Sequence, residues 1–173
     1  PYSSAASDVY KRQGVYMVTD HSVTGEAMRA QIDLFIENNP NFADLIEHYV
    51  PDSYQELTTF SQRAELGKSL LFWAYYRDAK GDVSSDEDWR QLNIKTQMPL
   101  YMVHDLGLGF GAIGGVIQSG ETQGRNTGRV LLQVLANPNK PLPPVVAGSP
   151  ETKLDYQQIS RWDLGAENEA AVT

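Results

Sequence analysis

The run SLLFWAYY at residues 69–76 constrains the fold more than any other stretch of the chain. It is continuously apolar and aromatic, and it is far shorter than the roughly 20 residues a membrane-spanning helix needs. It shows neither the alternation of a half-exposed strand nor the 3.6-residue spacing of a surface helix. A strand covered on both faces satisfies this pattern, and such strands belong to parallel sheets with helices packed on either side. Turn residues follow directly: Arg77-Asp78-Ala79-Lys80-Gly81-Asp82.

The rest of the chain repeats this alternation. Val15 to Thr19 is a short β-branched and aromatic run and reads as a buried strand. Asp20, Ser22 and Thr24 follow, each a good N-cap. Ala27, Met28, Ile32, Phe35 and Ile36 then recur at helical spacing up to Asn38-Asn39-Pro40. Leu45 to Val50 reads as a second strand. Asp52-Ser53 caps a helix running to about Glu65, with Leu57, Phe60 and Ala64 on one side and Gly67 ending it. Ser84 or Ser85 caps a short acidic helix through Leu92, and Met98 to Val103 reads as a further strand. A glycine-rich segment spans 107–120. A long helix covers Thr122 to Leu135 and stops at Asn137-Pro138. The tail carries Pro141, Pro143, Pro144 and Pro150, then a short strand at Leu154-Asp155-Tyr156 and a helical turn to Trp162. Strands separated by helices predict an α/β chain: a parallel sheet flanked by helices, joined by right-handed crossovers.

Composition removes several function classes. The 173 residues carry 14 Lys and Arg against 22 Asp and Glu, a net charge of -8. Nucleic-acid and anionic-membrane surfaces need clustered cations, so no nucleic-acid partner is expected. There is no cysteine, which excludes disulfides, thiolate metal sites and Cys nucleophiles. His21, His48 and His104 lack the spacing of a zinc motif, and no G-x-S-x-G elbow occurs. Asp86, Glu87 and Asp88 are consecutive, so a helix fans them apart as a dipole-favoured helix start. No metal, no cofactor and no enzymatic activity are expected. Gly109 to Gly114 matches G-x-G-x-x-G but runs on into extended apolar chain, where a pyrophosphate site needs a helix N-terminus. A loop or a close passage of two chain segments accounts for these glycines instead.

A ligand site in an open α/β sheet lies outside the carboxyl ends of the strands. Three such ends are polar: Thr19-Asp20-His21, Tyr76-Arg77-Asp78 and His104-Asp105. Each alone has a plain structural reading: Asp20 as a helix cap, Arg77-Asp78 as a solvated turn, His104 as a bonded strand end. Together they line one rim if their strands are neighbours.

One resemblance adds to this. Leu70-Leu71-Phe72, Arg77-Asp78-Ala79-Lys80-Gly81, Pro99-Leu100-Tyr101, Gly109 to Gly115 and Ser119-Gly120-Glu121-Thr122-Gln123-Gly124 follow an order and spacing similar to one family. They resemble the ABC-transporter substrate-binding-like domain, a periplasmic binding protein of type I fold. Val15 to Asp20 with Thr24-Gly25 resembles the start of that family's C-terminal lobe, and Leu154 to Ile159 its closing segment. The similarity covers residues 14–164 and is most specific from Gly114 to Gly124.

The resemblance implies a two-lobed protein that closes around a small solute, such as an amino acid or a peptide. Variants of the domain serve as extracytoplasmic sensors of membrane-anchored bacterial histidine kinases and diguanylate cyclases. Others feed ABC transporters. On this reading residues 14–118 form the C-terminal lobe, and 119–164 return toward an N-terminal lobe that is missing here. Residues 165–173 form a tail. Residues 1–13, which include Asp8-Val9-Tyr10-Lys11-Arg12-Gln13, look like a translated sequencing adapter and are set aside as a scar or disordered arm. The implied partners are the small-molecule ligand, the missing lobe and a homodimer mate, in a periplasmic setting. Carried over by position, Asp20, His21, Tyr76, Arg77 and Asp78 are the candidate ligand-binding residues, with His104 and Asp105 behind them. The resemblance also leaves Val130, Leu131 and Val134 partly exposed, because their helix lacks its partner.

Overall fold

A computed structural model describes residues 14–63, 68–74, 76–139 and 150–164. Strand β1 (Gly14–Val18), helix α1 (Val23–Asn38), strand β2 (Ile46–Tyr49), helix α2 (Tyr54–Ser61), strand β3 (Lys68–Phe72), helix α3 (Asp86–Lys95) and strand β4 (Leu100–Met102) follow one another along the chain. The four strands form one sheet in the order β2-β1-β3-β4, and every pairing in it is parallel. The predicted α/β class, a parallel sheet flanked by helices, is the observed one.

Register explains the core. Val18 lies opposite Tyr49 on one side and Phe72 on the other, and Phe72 lies opposite Met102. Alternate residues therefore face the same way. Tyr16, Val18, Leu70, Phe72, Leu100 and Met102 point to one face and join Leu57 of α2, Trp89 and Leu92 of α3, Tyr76 and Met98 in a single buried cluster. Phe72 meets the Trp89 ring edge-on at 4.9 Å, and Tyr16 meets Phe60 of α2 the same way, also at 4.9 Å. Helices α2 and α3 pack side by side over this face. Right-handed crossovers place α1 on the other face, where Met17 and Ile32 are buried.

Three serines start the three helices, each for the reason their sequence positions suggest. Ser22 accepts from the Gly25 N–H at 3.1 Å, and Ser53 from the Glu56 N–H at 3.1 Å. Ser85 and Asp88 form a reciprocal capping box, with Asp88 Oδ2 accepting from the Ser85 N–H at 2.8 Å. Of the alternative candidates, Ser22 rather than Asp20 or Thr24 caps α1, and Ser85 rather than Ser84 caps α3.

Some boundaries differ from the sequence reading. Within the apolar run at 69–76 the strand ends at Phe72, where the ladder with β1 ends at Val18; Tyr75 lies outside the described residues. The predicted strand at Leu154-Asp155-Tyr156 is displaced. Strand β6 is Glu151–Leu154, and Asp155 instead caps helix α5 (Tyr156–Arg161), accepting from the Gln157 and Gln158 N–H groups. Helix α2 ends at Ser61, and Ala64, Glu65 and Gly67 lie outside the described residues, as do 1–13 and 165–173.

The glycine-rich segment is a close passage of chain. It contains strand β5 (Gly114–Ile117), which pairs antiparallel with β6 in a second, two-stranded sheet that the sequence did not suggest. A Cβ on Gly107 would lie 1.9 Å from Met102 Sδ, and one on Gly114 would lie 2.0 Å from the Lys153 carbonyl oxygen. Gly114 also has φ +107, a conformation that favours glycine. The Ile113 N–H donates to Leu100 O and the Gln118 N–H to Val103 O, both at 2.8 Å, which fixes this unit to β4. Helix α4 (Gly120–Ala136) follows and buries none of its residues. Leu131, Leu132 and Leu135 are 55%, 69% and 67% exposed, while Val130 and Val134 are half-buried.

Candidate functional site

The sheet order creates a switch point. From β1 the chain crosses through α1 to β2 on one side, and from β3 it crosses through α3 to β4 on the other. Between the carboxyl ends of β1 and β3 the two connections diverge and leave a crevice. A pocket of about 140 Å3 occupies that crevice. The end of β1 contributes Val18, Thr19 and Asp20, and the first turns of α1 contribute Ser22, Thr24, Gly25 and Met28. Ala74 and Arg77 come from beyond β3. Sites for drug-sized ligands measure about 300–1,000 Å3, so this pocket holds a small group or part of a larger one.

Asp20 builds the pocket wall. It is 4% exposed, and burial of a carboxylate is costly unless it is hydrogen-bonded. Its Oδ1 accepts from the Ser22 N–H at 2.9 Å and from Ser22 Oγ at 2.5 Å. Its Oδ2 accepts from the Arg77 N–H at 2.9 Å. One side chain thus pins the start of α1 and the end of β3 together across the switch point. Arg29, in the second turn of α1, donates from Nη1 to Thr19 Oγ1 at 2.9 Å and to the Asp20 carbonyl at 2.7 Å. Helix α1 packs against this turn so closely that a Cβ on Gly25 would lie 2.2 Å from Asp20 O.

The other candidates divide by position. The Arg77 backbone is held by Asp20 and by a bridge to Val83, and this exposed residue is part of the pocket lining. Tyr76 is 2% exposed and donates its hydroxyl to Pro51 O at 2.9 Å. It is a core residue beneath the site, and burial drives its phenol well above the ordinary range. Asp78 Oδ1 accepts from the Lys80 and Asp82 N–H groups, each at 2.9 Å, and closes the turn that presents Arg77. His21 Nε2 lies 2.9 Å from Asp52 Oδ1 at the exposed rim and links the loops after β1 and β2. His104 and Asp105 follow β4, and His104 bridges to Gln118. Neither lines the pocket. The structure therefore brings Asp20 and Arg77 together, flanks them with His21 and Asp78, and leaves His104 and Asp105 apart.

Ser22, Thr24, Gly25, Met28 and Ala74 also line the pocket and were missed as site residues. A usable signal was present for the first four. In a β-α-β unit the helix after a strand begins at the same rim where that strand ends, so its capping turn faces any ligand there.

The chemistry offered to a ligand follows. With Asp20 engaged by three donors, the lining offers Arg77 and Thr24 as polar residues beside apolar Val18, Met28 and Ala74. The guanidinium suits bidentate contact with a carboxylate or similar planar acceptor.

A second, wider hollow of about 510 Å3 lies along α2 and includes Tyr49, Glu56, Phe60 and Arg63. The Tyr49 and Phe60 rings stack on each other at 3.9 Å, so that face of each is already used. Burial, and then the nearby Glu56 carboxylate, push the Tyr49 phenol up to about 12. Among the described residues no cluster of three or more His, Asp or Glu could hold a metal ion, and no helix is long and apolar enough to cross a membrane.

The fold and site define a doubly wound α/β unit with a small pocket of mixed polar and apolar lining at its switch point. No family model matches the chain, and no curated protein and no solved structure matches it.

Proposed function

We propose that this chain is the C-terminal lobe of an extracytoplasmic solute-binding sensor domain, carried by a membrane-anchored bacterial histidine kinase or diguanylate cyclase. The observation that carries this reading is the open pocket between the ends of β1 and β3, with Arg77 in its lining. Its volume is that of half a site, which suits a ligand clamped between two lobes. Ligand binding then shifts an open–closed equilibrium by touching both lobes only in the closed state. Helix α4 supports the same reading, because a 17-residue helix with no buried residue gains little from packing on its own lobe. No covalent chemistry is assigned to the site.

Recovery of the coding sequence on both sides of residues 14–173 tests the proposal. A second α/β lobe upstream, with a spanning helix and a signalling domain downstream, is the expected result. A stop codon soon after the closing segment would make it a transport binding protein. An initiating Met just before Gly14 with no second lobe would overturn the two-lobe reading. In the two-lobed protein, Arg77→Ala should weaken solute binding by about 10- to 100-fold, the worth of a charge-assisted pair of hydrogen bonds. Calorimetry showing unchanged affinity would remove Arg77 from the site.

A further inference from the structure

We draw no further inference here: the strongest candidate, the exposed face of α4 on which Gly120, Gly124 and Gly128 run into Leu131 and Leu135, carries nothing because nothing in the structure shows what covers it.

Discussion

Asp20 shows how one buried side chain sets a site that it does not itself offer to a ligand. Its two oxygens satisfy the Ser22 and Arg77 N–H groups and the Ser22 hydroxyl. Asp20→Ala leaves these part-buried donors without their acceptor, and each unsatisfied group costs about 1–3 kcal/mol where it is buried. The expected loss in unfolding free energy is about 2–4 kcal/mol by urea titration. A loss below about 0.5 kcal/mol, the size of an ordinary surface substitution, would show that Asp20 does not brace the switch point.

The tyrosines make a separate prediction about alkali. The Tyr49 phenol is raised from 10.0 to about 12, chiefly by burial. Burial likewise raises Tyr54 and Tyr76. A raised pKa means the folded state holds its proton more tightly than the unfolded chain does. That contribution is complete below pH 10 and is lost as pH climbs from about 10 through about 12. The urea midpoint should therefore fall between pH 9 and pH 11, about one pH unit to either side of the ordinary phenol value. Tyr49→Phe should make that fall shallower. An identical slope in the variant would contradict the assignment to Tyr49.

At the scale of elements, α1 and α4 are opposites. Both contain glycine within the helix, where alanine is normally better by about 1 kcal/mol. In α1, a Cβ on Gly25 would meet Asp20 O at 2.2 Å, a backbone atom that cannot step aside. In α4, a Cβ on Gly124 would meet nothing within 4 Å. Gly25→Ala should destabilise the protein in spite of its better propensity, while Gly124→Ala should stabilise α4 by about 0.5–1 kcal/mol. Thermal unfolding of the two variants in parallel checks this, and equal shifts of the same sign would refute it.

The elements were also where sequence reading was strongest. Their apolar periodicity and serine caps are local properties, so β1, α1, β2, α2, α3 and β4 were all legible. What was not legible was length. The strand within 69–76 ends at Phe72, where its pairing with Val18 of β1 and Met102 of β4 ends, and no local pattern in β3 contains that fact. The antiparallel β5–β6 pair was hidden for a similar reason. Its strands are Gly114–Ile117 and Glu151–Leu154, far apart in sequence, and one begins with two glycines that carry no strand propensity.

For the molecule as a whole, packing is uneven. One face of the parallel sheet is sealed by α2 and α3 over an aromatic and aliphatic cluster, whereas α4 lies on the surface with three leucines more than half exposed. Local opening costs least where few apolar contacts must break. Hydrogen exchange should therefore find the amides of β1 and β3 close to globally protected, and those of α4 exchanging by fraying at far lower free energy. Comparable protection in both regions would mean that α4 is packed in solution against a surface absent from this fold.

The sequence by itself determined the α/β class, the alternation of elements and the short stretches that hold the helix caps, because hydrophobic period and turn chemistry act within a few residues of one another. It also marked Asp20 and Arg77 as strand-end polar groups. Only the tertiary structure decided that these two meet. Strand order 2-1-3-4 makes β1 and β3 neighbours, and that order depends on which edge each crossover returns to, a choice made by packing over the whole sheet. The same order places His104 and Asp105 outside the pocket, turns Tyr76 into the core, and brings the first turn of α1 to the pocket wall.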